Sequence, residues 1–343
     1  MTKHMFLDIC HAVSAKNDYF KRKCNAAGLA GFTTVQKVTA ALRILAYGGA
    51  ADRLDEYFHM GESTILESVR EFTSTMIDIY GDWYLRQPNA QDVAKLLAKA
   101  EERGFPGMLG SIDCMHWEWE KCPTRLHGQY RGHHKKPTII LEAVASHNLH
   151  IWHAFFGMPG SLNNINVLHR SHVFDSISSG TCAPVNFNVN GTDYNMGYLL
   201  ADGIYPPWRT LVKGLRCPQT MKEKYFTSKQ SAYRKDVERA FGVLQAKYQI
   251  VKGPARTWKP SELKKIMECV VIMHNMGIEY EEGLEELRAE DYEDATPARL
   301  NPNRNVPEIH RLIAGHRQIE SRSGHDQLTA DLMEHVWSTY GSQ

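Results

Sequence analysis

The sequence predicts an α/β fold in which a helical N-terminal region precedes a mixed sheet flanked by helices. Three observations predict it. Helical periodicity dominates residues 1–100, short apolar strand patterns follow from about residue 105, and a strongly periodic helix covers residues 229–248. The 343 residues, 43% of them hydrophobic, suffice for two or three domains with cores of their own. A chain that is disordered throughout is therefore excluded.

Composition and cysteine usage narrow the function classes. The chain has no apolar run of about 18 residues, and its N-terminus lacks the pattern of a secretory signal, so we expect a soluble protein that is not exported. The seven cysteines are scattered and form no C-x-x-C pair, which argues against a disulfide framework and a zinc knuckle. This usage favours a reducing intracellular compartment.

The formal net charge of +1 hides a segregation of charge along the chain. Residues 279–294 hold nine acids and one arginine, and we expect them to form an exposed or flexible loop. Residues 121–136 have five Lys or Arg and no acid, and residues 208–256 have twelve against three acids. Such clusters attract polyanions, although a solvated face on an ordinary enzyme accounts for the charge alone equally well.

Two helices joined by a tight turn are predicted in the N-terminal region. A helix over 34–47 ends at Gly48, and its apolar face is formed by Val35, Val38, Leu42 and Leu45. A short helix follows over 51–58, and Thr64 to Glu67 have the form of a capping box that opens a helix to about Tyr80. This pattern resembles a helix-turn-helix, but any helical bundle produces it. Because the second helix carries several acids, we favour a structural bundle over an autonomous DNA reader.

Five strands are predicted after residue 105. They cover 108–119, 138–146, 150–156, 198–201 and 208–215. The second and third form a hairpin, and the glycines at 157 and 160 then break the sheet before a helix from Asn163 to about Phe174. The helix over 229–248 buries a stripe formed by Val237, Phe241, Leu244 and Tyr248. Further helices are predicted over 261–280 and, as a piece that docks back, over 327–340.

Three acids stand at conspicuous places in this pattern. Asp113 lies inside the first strand, where Asp is disfavoured, Asp202 directly follows the fourth strand, and Glu238 borders the buried stripe of the late helix. Carboxylates are the ligands of Mg²⁺, and two such ions activate a nucleophile and stabilise the leaving oxygen in phosphodiester chemistry. Acids on the first strand, the fourth strand and a late helix are typical of a ribonuclease-H-like nuclease with a mixed five-stranded sheet.

Each acid also has an ordinary structural interpretation. Asp113 could pair with a buried Arg or with His116, Asp202 could cap a turn with its neighbouring glycine, and Glu238 could pair with Arg234 one helical turn earlier. For any single acid the structural interpretation is the stronger one. The catalytic hypothesis therefore depends on the three acids taken together.

Several blocks resemble plant transposases of the PIF/Harbinger superfamily, in its Pong-like branch. They include GSIDCMHWEW, GYLLADGIYPPW, DVERAFGVLQAKY and IMHNM, within a similarity that runs from about residue 5 to the C-terminal DLMEHVW. The resemblance implies a helical N-terminal region over 1–100, a ribonuclease-H-like DDE domain over 105–281, and an acidic loop with a helical tail over 282–343. It also implies that the catalytic and metal-binding acids are Asp113, Asp202 and Glu238.

The resemblance implies a metal-dependent DNA endonuclease or transposase that uses Mg²⁺ or Mn²⁺. Water and then a DNA 3′-hydroxyl would attack phosphodiesters at transposon terminal inverted repeats. The expected location is the nucleus, and the expected partner besides DNA is a Myb-like DNA-binding protein, with no membrane involved. Whether the chain forms a homodimer is left open. The candidate nucleic-acid contacts are Arg131, Lys135, Lys136, Arg234, Lys235 and Arg239.

Two departures from the family pattern support rival hypotheses. Asn164 stands where the family usually has Asp, and relatives usually carry a longer basic N-terminal extension. These features motivate the hypothesis of a domesticated, non-catalytic protein that binds chromatin or protein partners, although the three intact acids argue against it. A third possibility is a defective copy of the transposon, which the sequence cannot separate from an active transposase. The remaining candidates are interpreted as structural or solvated residues: His147, His150, His153, the histidines and lysines of 133–136, Trp117, Trp119, Trp152 and Cys114.

Overall fold

The computed structural model describes residues 1–133, 135–281 and 309–341. Its α-helices are α1 (Lys3–Lys16), α2 (Thr34–Tyr47), α3 (Asp55–Phe58), α4 (Glu62–Tyr84), α5 (Ala90–Glu102), α6 (His127–Tyr130), α7 (Asn164–Leu168), α8 (Asp175–Ser179), α9 (Met221–Lys247), α10 (Gln249–Lys252), α11 (Pro260–Glu281), α12 (Ile309–Ile319) and α13 (Arg322–Tyr340). Its strands are β1 (Met108–Glu118), β2 (Thr138–Ala145), β3 (Ile151–Pro159), β4 (Phe187–Val189), β5 (Thr192–Tyr194), β6 (Tyr198–Ala201) and β7 (Leu211–Lys213). Short 3₁₀ turns cover Ala51–Leu54 and Thr124–Leu126.

A five-stranded mixed sheet with the order β3-β2-β1-β6-β7 forms the centre of the fold. Strand β2 runs antiparallel to both β1 and β3, whereas β6 is parallel to both β1 and β7. All five predicted strands are confirmed, and the mixed sheet flanked by helices is consistent with a ribonuclease-H-like fold. The small β4–β5 hairpin was not predicted, because three residues a strand give too short a pattern to detect.

The burial of the two longest strands follows from their sequences. Every residue of β2 is buried, as its continuous apolar run predicts for a strand covered on both faces. In β1, side chains two residues apart share a face, so Ser111, Asp113 and Met115 point the same way. Strand β3 extends beyond its predicted end, through Gly157 to Pro159.

The N-terminal helices confirm part of the prediction and correct the rest. Helix α2 has the predicted bounds, opens with a capping box between Thr33 and Gln36, and ends at Gly48, whose φ of 61° is left-handed. Val35 was wrongly placed on its buried face, since its side chain is exposed. The capping box at Thr64 was also wrong, because α4 begins at Glu62, after Gly61, and has no side-chain cap.

The predicted helix-turn-helix is not confirmed. Helix α4 has 23 residues, and it packs along its length against α2 and α11. Ile65, Phe72 and Met76 of α4 are fully buried in the same hydrophobic cluster as side chains of β1, β2 and α11. The N-terminal helices and one face of the sheet therefore share a continuous core.

The later helices differ from prediction mainly at their beginnings. Helix α9 begins at Met221, eight residues before its predicted start, and Thr220 and Glu223 form a capping box there. Its predicted stripe is confirmed as buried, and α13 docks onto the sheet side through Leu328, Leu332 and Val336. The single helix predicted from Asn163 to Phe174 was wrong. Helix α7 ends at Leu168, and the Ser171 hydroxyl accepts a bond from Val173 N that competes with a helix.

Part of the C-terminal prediction lies outside the described residues. The acidic segment predicted as a loop over 279–294 falls mostly within 282–308, whereas its first residues complete α11. Across the described ranges, no helix is long and apolar enough to cross a membrane.

Candidate active site

Asp113 lies in the centre of the sheet, on β1 between its antiparallel neighbour β2 and its parallel neighbour β6. Its side chain is 19% exposed, and its Oδ1 accepts a hydrogen bond of 2.8 Å from Cys114 N. Burial raises the pKa of Asp113, the Cys114 N–H and the Arg234 charge lower it, and the charges of Glu238 and Asp202 raise it again. The carboxylates of Glu238 and Asp202 therefore lie within electrostatic range of Asp113.

Asp202 directly follows β6 at the carboxyl edge of the sheet. In the parallel register Ser111 pairs with Leu200, and extending this register by two positions brings Asp202 level with Asp113 on the neighbouring strand. The Asp202 side chain is exposed, and its Oδ1 accepts a 2.6 Å bond from Gly203 N. The turn cap considered in the sequence analysis is thus present, and it holds Asp202 within electrostatic range of Asp113.

Glu238 reaches the same region from α9, which packs across β1. The backbone N–H of Val237 donates a 3.0 Å bond to Ser111 Oγ, and this bond fixes the helix two residues from Asp113 along the strand. Because Ser111 and Asp113 share a face of β1, this bond brings Glu238, the residue after Val237, towards the Asp113 carboxylate. The Glu238 side chain is 42% exposed.

The Arg234 guanidinium lies between two of these acids. Its Nη1 is 2.7 Å from Glu238 Oε1 and 3.7 Å from Asp113 Oδ2. Both structural interpretations, an arginine partner for Asp113 and an (i, i+4) pair for Glu238, are therefore realised in the structure. Arg234 was also predicted as a nucleic-acid contact, and this stays a prediction for a side chain that is 18% exposed and contacts carboxylates.

Asn164, the first residue of α7, also touches the site. Its Nδ2 donates a 3.4 Å hydrogen bond to Asp113 Oδ1, while Asn163 caps the helix by accepting from Asn166 N. The residue that departs from the family pattern is thus a direct neighbour of Asp113. An amide here donates to the carboxylate, whereas a carboxylate would repel it.

The donors of this site suit a hard divalent cation, since Asp113, Asp202 and Glu238 supply only carboxylate oxygens. The charges of Glu238 and Asp202 both raise the pKa of the half-buried Asp113, and a bound cation would relieve this repulsion. Within residues 1–133, 135–281 and 309–341, however, no three His, Cys, Asp or Glu side chains lie close enough together to hold a metal ion. Glu238 and Asp202 lie within electrostatic range of Asp113, and the Arg234 guanidinium contacts Asp113 and Glu238.

Comparison with known proteins identifies the family. The model of the family described as plant transposon protein matches residues 82–285. The chain is 24% identical over 297 residues to "Protein ALP1-like" of Arabidopsis thaliana, covering 82% of this chain and 70% of the relative. It is 22% identical over 256 residues to "Putative nuclease HARBI1" of Homo sapiens, covering 71% of this chain and 67% of that one.

This chain belongs to the plant transposon protein family, of the PIF/Harbinger type. The matched residues contain the whole five-stranded sheet, α9 and all three acids. The bovine "Putative nuclease HARBI1" is similar as well, at 21% identity over 253 residues, with 71% of this chain and 67% of that one covered. No solved structure matches.

In this Harbinger-type chain, sequence reasoning missed a residue that positions the site. The Gln230 side chain is 1% exposed, and its Nε2 donates to Ala201 O at 3.0 Å and to Val212 O at 3.1 Å. It thereby ties α9 to the carboxyl ends of two strands, immediately before Asp202. A signal was available, because Gln230 lies seven residues before Val237 and so falls on the buried stripe.

The other predicted nucleic-acid contacts of this transposase-family chain lie on the surface. Arg131, Lys135 and Lys136 are exposed around the turn between α6 and β2, where Lys136 pairs with Glu118 at 2.8 Å. Lys235 is exposed, and Arg239 is 57% exposed and pairs with Asp236 at 2.7 Å. His134 of the neighbouring histidine pair lies outside the described residues.

The residues interpreted as structural occupy the places expected of them. Trp117 and Trp119 are buried, and their indole N–H groups donate to Gly253 O and Thr257 O, so they belong to the core. Trp152 is half-buried and donates to Ser146 Oγ. Burial raises the pKa of the Cys114 thiol, and this disfavours the thiolate that a nucleophile requires.

Proposed function

We propose that this chain is a metal-dependent DNA endonuclease or transposase of the Harbinger type. The observation that carries the proposal is that carboxylates from the end of β6 and from α9, Asp202 and Glu238, lie within electrostatic range of the half-buried Asp113 on β1. Mg²⁺ or Mn²⁺ bound there would activate a nucleophile and stabilise the leaving oxygen of a phosphodiester. Transposon terminal inverted repeats are the proposed DNA, and the nucleus is the proposed location.

The three acids have distinct places in this proposal. Asp113, held in the rigid centre of the sheet, would be the fixed oxygen ligand around which the site is organised. Asp202 would contribute from the open edge, where its exposure leaves room for a DNA strand. Glu238 would complete the set from α9, after exchanging its contact with Arg234.

Sequence-specific recognition is proposed to come from a separate Myb-like DNA-binding partner. The helix-turn-helix expected in the N-terminal region is not confirmed, and α4 is packed into the core through its apolar side. A partner would then select the DNA ends, while this chain performs the chemistry.

The test is nicking of a supercoiled plasmid in the presence of Mg²⁺ or Mn²⁺. We expect Asp113→Asn, Asp202→Asn and Glu238→Gln each to lower the nicking rate by roughly 10²- to 10⁴-fold. Asp78→Asn and Glu67→Gln, which change exposed acids of α4, serve as matched controls and should nick like the wild type. Equal activity in all six proteins would exclude the assignment.

A second candidate is a domesticated protein that binds chromatin or protein partners without cleaving DNA. The Arg234 guanidinium favours it, because this side chain already supplies a cation to Asp113 and Glu238. The amide of Asn164 beside Asp113 favours it as well. A stable complex with chromatin proteins, purified without any metal-dependent nicking, would support this candidate over the nuclease.

A further inference from the structure

A buried ion pair joins the middle of α9 to the end of α5. Asp236 of α9 is buried, and its Oδ2 lies 2.5 Å from Nη1 of Arg103, the residue that follows α5. Its other oxygen, Oδ1, lies 2.7 Å from Nη1 of Arg239. The Arg103 side chain is 19% exposed, whereas that of Arg239 is 57% exposed and makes only a surface contact. Arg103 is therefore the principal partner of Asp236.

Two features hold the Arg103 guanidinium in place. Its Cζ lies 4.9 Å from the centre of the Tyr233 ring, which belongs to the same helix as Asp236. The backbone after Arg103 forms a Schellman motif, in which Gly104 N and Phe105 N each donate a 2.9 Å bond to a carbonyl oxygen of the last turn of α5. The end of α5 is thus closed by its own backbone, and this fixes the position from which Arg103 reaches α9.

Asp236 and Glu238 lie on opposite flanks of α9. Successive residues of a helix are about 100° apart around its axis, so the two side chains point to either side of Val237. Val237 is fully buried, and its backbone N–H donates to Ser111 Oγ, so the helix touches β1 along the line of this residue. The pair with Arg103 thus holds one flank of α9, and the acid site lies on the other.

A contact along one line does not by itself fix how far a helix is rotated about its axis. The side chains of a helix extend to about 5 to 6 Å from the axis, so a rotation of about 20° moves a carboxylate by about 2 Å. A displacement of about 1 Å at a catalytic group can lower a rate by about 100-fold. The ion pair on the opposite flank limits this rotation, because Asp236 has to stay within reach of Arg103.

We infer that Asp236 is a positioning residue for Glu238. Its ion pair with Arg103 sets the rotation of α9 on β1 and so holds the Glu238 carboxylate beside Asp113. The inference rests on the proposed function for the catalytic role of Glu238, whereas the placement itself is independent of any metal. A carboxylate needed only for stability would act on the whole fold, but a positioning carboxylate acts on Asp113 through α9.

The test variant is Asp236→Asn, which keeps the shape of the side chain and removes its charge. The matched control is Asp92→Asn, because Asp92 forms a similar ion pair of 2.6 Å with Arg86 that involves α5 but not α9. Arg103→Lys, which keeps the positive charge but loses the planar fork, replaces Asp236→Asn if that protein does not fold. Circular dichroism and thermal unfolding establish which variants fold.

The first measurement is a double-mutant cycle with Asp113→Asn in EDTA, read as the urea midpoint of unfolding. We expect Asp236→Asn to lower the midpoint less in the Asp113→Asn background than in the wild type, because part of its effect is the loss of contacts between α9 and Asp113. Asp92→Asn should cause the same shift in both backgrounds. Equal shifts for Asp236→Asn in the two backgrounds would overturn the inference, whatever the nicking result.

The second measurement is nicking of a supercoiled plasmid with Mn²⁺ by the folded variants. We expect Asp236→Asn to lower the maximal rate about 10- to 100-fold and to leave unchanged the plasmid concentration that gives half of that rate, since a displaced Glu238 affects the chemical step. In the Glu238→Gln background Asp236→Asn should cause no further loss, and Asp92→Asn should nick at the wild-type rate. A folded Asp236→Asn protein that nicks like Asp92→Asn would also overturn the inference.

The two measurements separate this inference from the proposed function. A wild type that does not nick, together with unequal shifts for Asp236→Asn in EDTA, would reject the nuclease and keep the placement of Glu238 by Asp236. Loss of nicking in Asp113→Asn, together with equal shifts in EDTA, would keep the nuclease and reject the positioning role.

Discussion

Arg234 and Glu238, one turn apart on α9, form an ion pair of 2.7 Å, and the same guanidinium lies 3.7 Å from Asp113. This relationship sets the electrostatics of the site, because burial raises the pKa of Asp113 and the Arg234 charge lowers it again. A divalent cation that binds these carboxylates has to compete with the guanidinium. The ion pair thus stabilises the metal-free protein and opposes the metal-bound state.

Replacing Arg234 should therefore favour binding of a divalent cation by Asp113 and Glu238. We expect Arg234→Gln to lower the free energy of unfolding in EDTA by about 1 kcal/mol, a modest value because the Glu238 side chain is 42% exposed. Added Mg²⁺ or Mn²⁺ should then stabilise the variant more than the wild type, since no guanidinium competes. Chemical denaturation with and without metal measures both effects, and Arg239→Gln, which loses a pair outside the acid cluster, is the control. An equal metal response in the wild type and Arg234→Gln would contradict the argument.

Asn164→Asp tests the contact that departs from the family pattern. The Asn164 amide donates to Asp113 Oδ1 at 3.4 Å, so a carboxylate there would add repulsion and raise the pKa of Asp113 further. We expect a loss of about 1 kcal/mol of stability in EDTA at neutral pH and a larger stabilisation by Mg²⁺ than in the wild type. Asn166→Asp, on the exposed side of the same short helix, controls for added charge on α7. If both variants respond alike to metal, the Asn164 contact has no role in cation binding.

Gln230→Leu tests how α9 positions the carboxyl ends of β6 and β7. The substitution keeps a similar volume but removes both hydrogen bonds, leaving Ala201 O and Val212 O without this donor. We expect the free energy of unfolding to fall by about 2 to 3 kcal/mol and nicking to fall with DNA affinity unchanged, because Asp202 directly follows Ala201. Gln245→Leu, which loses only a weak bond to Met115 Sδ, is the matched control. Full nicking activity in a folded Gln230→Leu protein would limit Gln230 to a structural role.

The features predicted correctly from the sequence are those with strong local patterns. The apolar run of β2 predicted a strand, because burial on both faces leaves a continuous apolar sequence, and the stripe from Val237 to Tyr248 predicted a helix, because burial on one face leaves a periodic one. Asp113 and Asp202 were selected as candidates because they lie inside a strand and directly after one, and Glu238 because it borders the buried stripe of the late helix. Their placement around Asp113 follows from the register of β6 on β1, which no local pattern encodes.

The features that were missed depend on contacts between distant residues. Gln230 was overlooked because glutamine in a helix normally indicates a solvated face, and only its bonds to two strand ends explain its burial. Arg234 was expected as a partner of Glu238, but its second contact, with Asp113 on β1, depends on how α9 packs against the sheet.

Two buried histidines make the fold sensitive to acid. Burial lowers the pKa of His150 to about 3 and that of His274 to about 4, and the two residues repel each other when charged. The Nδ1 atoms of both rings are buried and have no hydrogen-bond partner among the residues that the structure describes, while His274 Nε2 lies 2.8 Å from Leu149 O. Both histidines are therefore neutral in the folded protein over the physiological range.

Because these pKa values lie below the unfolded value of about 6.5, the unfolded chain binds more protons than the folded one at intermediate pH. Stability is then fully present above pH 6.5 and falls as the pH decreases towards 4, with each histidine contributing a slope of about 1.4 kcal/mol per pH unit. His150→Gln should remove its share of that slope, whereas His11→Gln, at an exposed position of α1, should leave it unchanged. Urea denaturation at a series of pH values between 7 and 4 measures the slopes. A wild-type slope retained by His150→Gln would show that His150 already takes up its proton in the folded state.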